Sequence, residues 1–354
     1  MYKKWILNFL IYGVTFCILF TGFNFLIDPY GVFGHTNRLS KVKNHIASDR
    51  MTKFYYIKRE KPKTILIGTS RIGVINPKYV EKYTKDKVYN LSLSGSSIEE
   101  QYEYIKFLID KTQVKNIIWG IDFFSFNPDS RLPFSFSKKR LKKDLYMGDY
   151  RDSLFTLDAF IASLSTLKDN IRKIPEKVNL KTGQNQFLEH KNGFRTQGIL
   201  FLDRKIKEGL QGYKKTKELY GSKNFKYPKN IDKKFIYIKE IINLCKKRNI
   251  NLKVYVSPIY VKTLKLIYEL NLFKTYKYFQ INLAQITSFW DFNQNLEITS
   301  NKANFWDNSH MREKIGNLVI DTIFCKNIRY GKFITPSNVL KHLEKIEKIC
   351  KSNE

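Results

Sequence analysis

The chain has 354 residues, of which 43% are hydrophobic and 27% are charged. This balance is typical of a folded globular protein and excludes general disorder. Lys and Arg number 63 against 32 Asp and Glu, so the formal net charge is +31, which excludes an acidic solvating protein or a calcium store. The excess permits nucleic acid, an anionic glycan or an anionic membrane surface as a partner. The four cysteines show no CxxC spacing, so neither a disulfide scaffold nor a zinc module is predicted.

The first 27 residues predict a transmembrane anchor. Residues 5–27 carry no charge, and a helix of this length covers roughly 34 Å, enough for a hydrocarbon core of about 30 Å. Lys3 and Lys4 precede it, so the positive-inside rule places the N-terminus in the cytoplasm and the bulk of the chain in the periplasm or at the cell surface. The alternative is a cleaved signal peptide, but residues 28–33 offer no small-residue cleavage site. An extracytoplasmic location disfavours nucleic acid as the partner.

Beyond a basic connecting segment at 28–60, short apolar runs alternate with amphipathic stretches. This alternation predicts an α/β fold with a parallel sheet covered on both faces. The predicted strands are 64–67, 88–93, 116–124, 252–256 and 288–292. Helices are predicted at about 48–60, from Ser97 onward, and at about 232–248, 261–270, 312–324 and 336–351.

These patterns divide the chain into segments. The predicted division is a cytoplasmic stub and anchor at 1–27, the connecting segment 28–60, an α/β domain from 61–127 and 231–330, an insertion or lid at 128–230, and a basic C-terminal helix within 331–354. The insertion carries Lys and Arg clusters together with aromatic residues, a composition suited either to an anionic surface or to a solvated face.

Four residues lie where ligands bind in a parallel sheet, beyond the carboxyl ends of the strands. Ser70 follows the first strand on a tight turn, and Gly95 follows the second, where its N–H can donate to an oxyanion. Asp307 and His310 are three residues apart before a late helix, so one loop presents both side chains. The Asp can orient the imidazole, and the imidazole can take a proton from Ser70. Each feature alone also fits a helix cap or a surface loop, and their order along the chain favours a catalytic site.

With these blocks in place, the chain resembles the SGNH (GDSL-like) hydrolase superfamily. The blocks are ILIGTSR around Ser70, NLSLSG ending at Gly95, and FWDNSHMREKIGNLVIDTIF around Asp307 and His310, and the resemblance covers roughly residues 48–125 and 232–325. More narrowly, the chain is similar to the membrane-anchored extracytoplasmic branch, which includes proteins of teichoic acid D-alanylation and alginate O-acetylation. The narrower likeness rests on the anchor, the basic segment that contains Arg50, and an Arg directly after Ser70.

The resemblance implies a flavodoxin-like three-layer domain and ester chemistry through Ser70, His310 and Asp307, with no metal and no other cofactor. The N–H groups of Ser70 and Gly95 would form the oxyanion hole. The implied protein is a serine esterase or O-acyltransferase that acts on a cell-envelope glycan or another acylated acceptor. A multi-pass membrane partner would supply the acyl group, and no nucleic acid is involved.

One block departs from the family pattern. The superfamily usually has G-x-N-D after the third strand, and its Asn side chain donates to the oxyanion. In this chain Asp122 stands at that place in Gly-Ile-Asp-Phe. An ionised carboxylate would repel an oxyanion, so Asp122 must be protonated or directed elsewhere, for instance towards Arg71 or Arg50. The loss of one donor typically lowers the rate about 100- to 1,000-fold.

Five residues are therefore candidates for contacting the substrate or for replacing the missing oxyanion donor. They are Arg71, Arg50, Asp122, Asn127 and Asn90. His35, His45, His190 and His342 lack spaced partners and are assigned surface or structural roles. The departure at Asp122 also favours an alternative function, a non-catalytic module of the same fold that binds an anionic envelope polymer or scaffolds an acylation complex.

Overall fold

The computed structural model describes residues 2–43, 49–143, 145–186, 194–325 and 328–352. The chain divides into two units, one formed by 1–60 and 134–181 and the other by 61–133 and 182–354. The predicted insertion 128–230 is therefore split between the units. Residues 134–181 pack with the N-terminal helices, whereas 182–230 pack with the sheet.

The structure contains fourteen α-helices and six strands within the residues that it describes. In chain order they are α1 (Tyr2–Ile27), α2 (Asp49–Glu60), β1 (Thr64–Gly68), α3 (Pro77–Thr84), β2 (Val88–Ser92), α4 (Ile98–Lys111), β3 (Asn116–Ile121), α5 (Lys138–Lys142), α6 (Met147–Leu154), α7 (Leu157–Ile171), α8 (Phe194–Lys215), α9 (Asp232–Lys247), β4 (Asn251–Val256), α10 (Val261–Glu269), α11 (Phe273–Ile286), β5 (Phe289–Asp291), α12 (Leu296–Thr299), α13 (Glu313–Ile323), β6 (Lys332–Ile334) and α14 (Val339–Lys351).

The N-terminal unit is helical, and its first helix is long and apolar enough to span a membrane. The turn that follows α1 is fixed by Asp28, whose carboxylate accepts hydrogen bonds from the N–H groups of Gly34 and His35 at 2.8 and 3.1 Å. Lys43 Nζ lies 3.9 Å from the same carboxylate and donates to the Ile27 carbonyl oxygen at 3.0 Å. Burial lowers the pKa of Lys43 to about 8 and raises the pKa of Asp28. The chain is thus held in one path where it leaves α1.

The second unit is built on a sheet of six strands in the order β2-β1-β3-β4-β5-β6. The first five strands in that order are parallel, and β6 pairs antiparallel with β5. On one face Leu66 and Ile118 belong to an apolar core that includes Val319 and Ile320 of α13. On the other face Trp119 donates a hydrogen bond to Gln101 of α4 at 2.7 Å. Helices therefore cover both faces, as the apolar strands require.

The elements that were predicted individually agree with the observed ones to within a few residues, except at the end of β3. Residues 122–124 are not strand, because the chain turns into a 3-10 helix at Phe123–Phe126. Four elements outside 128–230 were not predicted from the sequence: α3, α12, α11, whose N-terminus has no side-chain cap, and β6, which has only three residues. Ser97 caps α4 as predicted, and its side chain accepts a hydrogen bond from the Glu100 N–H at 3.3 Å.

Candidate active site

The turn after β1 presents Ser70 at the carboxyl edge of the sheet. Gly68 ends the strand and pairs with Ser92 of β2 and Gly120 of β3. A Cβ at Gly68 would lie against the carbonyl oxygen of Gly120, so only glycine fits at this position. The Gly73 N–H donates to the Ser70 carbonyl at 3.1 Å and opens a 3-10 helix at Ile72–Val74. This tight turn leaves the Ser70 side chain partly exposed.

Gly68→Ala is expected to destabilise the sheet unit. The new methyl group meets the Gly120 carbonyl, and such overpacking costs about 1–3 kcal/mol. Gly95→Ala is the matched control, because Gly95 has φ +65° but open space around its Cβ position, so only the positive φ costs free energy, about 1 kcal/mol. Urea unfolding of the full chain in detergent compares the two variants. Equal losses of stability would contradict the close packing of β1 on β3.

The loop that carries Asp307 and His310 is a closed hairpin. Phe305 and Met311 form an isolated antiparallel bridge at its base, and both side chains are fully buried. The Trp306 N–H donates to the His310 carbonyl at 2.8 Å. The loop is thereby anchored in the core at both ends.

A second contact ties the middle of this loop to α10. Thr263 Oγ1 donates to the Asn308 carbonyl oxygen at 2.6 Å, and the Asn308 amide donates back to Thr263 Oγ1 at 3.3 Å. Both residues are buried. The position of the His310 ring is therefore set by the core and not by the loop alone.

Ser70, His310 and Asp307 form a continuous line of hydrogen bonds. Ser70 Oγ lies 2.8 Å from His310 Nε2, and His310 Nδ1 lies 2.7 Å from Asp307 Oδ2. Asp307 Oδ1 accepts from the N–H groups of Ser309 and His310 at 2.7 and 2.8 Å. Burial alone would raise the pKa of Asp307, but His310 and these backbone donors lower it overall. An ionised Asp307 favours the tautomer with the proton on Nδ1, which leaves Nε2 free to accept the Ser70 proton.

Two backbone donors lie at the same edge of the sheet. Gly95 is exposed, has left-handed φ +65°, and has no atom within 4 Å of its Cβ position. The Leu93 N–H donates to the Gly68 carbonyl at 2.9 Å, which fixes the chain just before Gly95. Within the part of the chain that the structure describes, neither the Ser70 N–H nor the Gly95 N–H donates to a protein acceptor. Both are thus available to a ligand oxygen.

Asp122 is bound to Arg71 and to Thr69. Arg71 donates from NH1 to Asp122 Oδ1 at 3.0 Å, and the Thr69 hydroxyl donates to Asp122 Oδ2. The two charged side chains are 3% and 1% exposed. Although burial disfavours a charged guanidinium, the Asp122 carboxylate raises the pKa of Arg71 overall. The sequence leaves Arg71 and Arg50 as possible partners of Asp122, and in the structure the partner is Arg71.

The same guanidinium also reaches the His310 loop. Arg71 Nε donates to Ser309 Oγ at 2.8 Å, and the Tyr213 hydroxyl of α8 donates to the same oxygen at 2.7 Å. The guanidinium carbon lies 4.9 Å from the centre of the Phe124 ring. Since Arg71 is buried and bound on several sides, it joins the Ser70 turn to the loop that carries Asp307 and His310 and is not placed to contact a substrate.

The other residues proposed as substrate contacts or donors are engaged elsewhere. The Asn127 amide donates to the carbonyl oxygens of Lys217 and Leu219. The Asn90 amide donates to the carbonyls of Ile72 and Ile75 at 2.9 and 3.0 Å. Neither replaces the missing oxyanion donor. Arg50 belongs to the N-terminal unit, where its guanidinium lies 3.3 Å from Asp49.

Of the remaining histidines, the structure describes His35, in the turn after α1, and His342. His342 is buried, with Nε2 at 3.4 Å from Asp291 and Nδ1 at 3.1 Å from Gln294, an arrangement that holds α14 to the end of β5. His45 and His190 lie outside the described residues. Across the described ranges no group of three His, Cys, Asp or Glu side chains converges in a way that would hold a metal ion.

Three residues of this site were missed from the sequence. Thr69 and Ser309 lie inside the motifs around Ser70 and His310, so their neighbourhood was a signal that they could contribute. Tyr213 gave no signal, because it is 142 residues from Arg71 and lies in the segment interpreted as an insertion.

No family model matches the chain, and no curated protein matches it either.

Proposed function

We propose that the chain is a membrane-anchored serine esterase or O-acyltransferase of the SGNH type that acts on a cell-envelope glycan through an acyl-enzyme on Ser70. The observation that carries the proposal is the hydrogen-bonded line from Ser70 Oγ through His310 to Asp307, at 2.8 and 2.7 Å. A nucleophile, a base and an orienting carboxylate in this order are the parts that acyl transfer needs.

The proposed reaction has two halves. Ser70 Oγ attacks the carbonyl carbon of an ester or thioester while His310 Nε2 takes its proton, and the N–H groups of Ser70 and Gly95 donate to the oxyanion. The bond to the leaving oxygen or sulfur then breaks, and His310 returns the proton to that atom. In the second half a glycan hydroxyl or a water gives its proton to His310 and attacks the acyl carbon, and Ser70 Oγ leaves with that proton.

The fold supports this proposal. The five parallel strands follow the order 2-1-3-4-5, which is the order of flavodoxin-like doubly wound sheets. Ser70, Gly95 and Asp122 each follow by two or three residues the aligned positions Gly68, Ser92 and Gly120. The candidate site therefore lies at the edge of the sheet where such folds bind ligands.

The Arg71–Asp122 pair favours transfer over general hydrolysis. Asp122 is used to hold Arg71, so the third oxyanion donor of the family pattern is absent from this position. A site with only two backbone N–H groups to stabilise the oxyanion would react slowly with unselected esters. A dedicated acyl donor that is bound in a fixed position would offset that loss. We assign delivery of this donor to a multi-pass membrane partner, in keeping with α1 as an anchor and the bulk of the chain outside the cytoplasm.

A fluorophosphonate probe tests the nucleophile in the full chain, purified in detergent. We expect one covalent adduct, located on the peptide that contains Ser70 and absent from Ser70→Ala. Ser94→Ala is the matched control, because Ser94 is an exposed serine of the neighbouring loop and its loss should leave labelling intact. Unchanged labelling of Ser70→Ala would refute the assignment.

Binding of an anionic polymer is a second candidate function, favoured by a basic cavity of about 660 Å³ between α8 and α10. Its lining includes Lys214, Lys262 and Lys265 beside apolar side chains. Thr263, next to Lys262 on α10, holds the Asn308 carbonyl of the catalytic loop. The cavity is thus lined in part by α10, the helix that also holds the loop of the candidate active site, and we assign it to an acidic acceptor.

Reversing two of these charges is expected to weaken polyanion binding. We predict that Lys214→Glu with Lys262→Glu lowers the affinity of the full chain for a glycerol-phosphate polymer about tenfold or more at low salt, and less as salt rises. Lys229→Glu with Lys233→Glu is the control, because these exposed lysines do not line the cavity. Fluorescence anisotropy of labelled polymer measures both. An equal loss in the control would show that only net charge matters.

A further inference from the structure

Helix α7 presents an apolar stripe that no described residue of its own unit covers. Leu157, Ile161, Leu164 and Ile171 are between 46% and 67% exposed. Their spacing of four, three and seven residues places them along one side of the helix. Lys168 is the one polar side chain within that stripe, and a lysine can extend its ammonium away from an apolar surface along its own stem.

The side of α7 that borders this stripe packs along the end of α1. The Phe160 ring lies 5.0 Å from the Phe20 ring and 5.5 Å from the Phe23 ring. Ser163 Oγ donates to Asn24 Oδ1 at 2.9 Å. The Asn24 amide in turn donates to the carbonyl of Leu154, the last residue of α6, at 2.9 Å, so the chain just before α7 is also fixed to α1.

These contacts set the depth of α7 relative to α1. Residues 20–24 lie three to seven positions before Ile27, the last residue of α1. At about 1.5 Å per residue, α7 lies roughly 5–10 Å inside that end of the helix. This is the depth at which amphipathic helices rest between the headgroups and the acyl chains.

An apolar groove continues from α1 to the start of α7. It has a volume of about 410 Å³, and its lining includes Gly13, Cys17, Thr21 and Phe155. Phe155 lies two residues before the first residue of α7 and is itself exposed. The apolar surface of α1 is thus continuous with the stripe on α7, and a single apolar environment would cover both.

We propose that α7 is an interfacial membrane helix, with Leu157, Ile161, Leu164 and Ile171 in contact with lipid acyl chains beside α1. The inference rests on the membrane anchor of the proposed function. It adds a second, non-spanning contact with the bilayer, which would hold the N-terminal unit against the leaflet at the carboxyl end of α1.

Depth-dependent quenching in liposomes tests this placement with the full chain. Cys325→Ser removes one exposed thiol and leaves Cys17 in α1 as the labelling site for an environment-sensitive dye. Two further proteins carry Cys17→Ser as well, one with Ile161→Cys and one with Asp158→Cys, an exposed position on the flank of α7. Lipids with a quencher on the acyl chain are compared with iodide in water.

We expect the dye at position 161 to be quenched by the labelled lipid about threefold more than the dye at 158, with the reverse order for iodide. The dye at Cys17 should be quenched by lipid in the same liposomes. Quenching at Cys17 with equal signals at 161 and 158 would overturn the inference and leave the anchor standing. If the dye at Cys17 is not quenched by lipid either, the anchor itself fails, and the inference fails with it.

Discussion

Replacing His310 with alanine is expected to lower the rate at which an activated ester acylates Ser70 by about 10,000-fold. His310 Nε2 is 2.8 Å from Ser70 Oγ and is the group placed to take its proton. Without it the hydroxyl must attack in its protonated form. Stopped-flow release of p-nitrophenol from p-nitrophenyl acetate measures this step in the full chain, with Ser70→Ala as the background.

His342→Ala is a matched control for this prediction. His342 also lies near a carboxylate, 3.4 Å from Asp291, but it is buried at the end of the sheet beside α14. Its loss should lower stability and leave the acylation rate of the folded protein unchanged. If His342→Ala reduces the rate as much as His310→Ala, the effect is structural and the assigned base is wrong.

The second large effect is expected at the buried pair of Arg71 and Asp122. Arg71→Met leaves a buried carboxylate without its counter-charge, and breaking such a pair typically costs about 3–5 kcal/mol of unfolding free energy. Asp122→Leu should cost a similar amount for the converse reason. The double variant removes both charges and should regain most of the lost stability. Urea unfolding of the four proteins measures the coupling between the two sites.

The acylation rate separates the contribution of this pair to stability from its contribution to the position of the His310 loop. In the double variant the link from Arg71 Nε to Ser309 Oγ is also gone, so the His310 loop loses one of its supports. We therefore expect stability to recover while the rate stays below that of the unmodified chain. Full recovery of the rate together with stability would contradict a positioning role for Arg71.

The parts of the site that the sequence predicts are those that the topology brings together. Ser70 and Gly95 follow strands that pair in register, so their positions beyond the strand ends are enough to make them neighbours. Asp307 and His310 share one loop, and a spacing of three residues predicts their contact. Ser70 and His310 are 240 residues apart, and only their placement at the same edge of the sheet favours a contact.

Other features depend on packing between distant segments. Asp122 had two arginine partners open to it, and only the position of the Ser70 turn against β3 selects Arg71. Tyr213 reaches Ser309 because α8 packs against the loop that carries His310, a contact that no local pattern encodes. Residues 134–181 likewise belong to the N-terminal unit through contacts such as those of Phe160, an aromatic residue whose partners lie near the end of α1.

Acetylation of Ser70 is the most direct test of the proposed function. The full chain in detergent is exposed to an activated acetyl ester, and its intact mass and peptide map are taken before and after the reaction. We predict one acetyl group on the peptide that contains Ser70, and no acetyl group on that peptide in His310→Ala under the same conditions. A folded protein that gains no acetyl group, or gains acetyl groups on lysines only, would contradict the proposed acyl-enzyme.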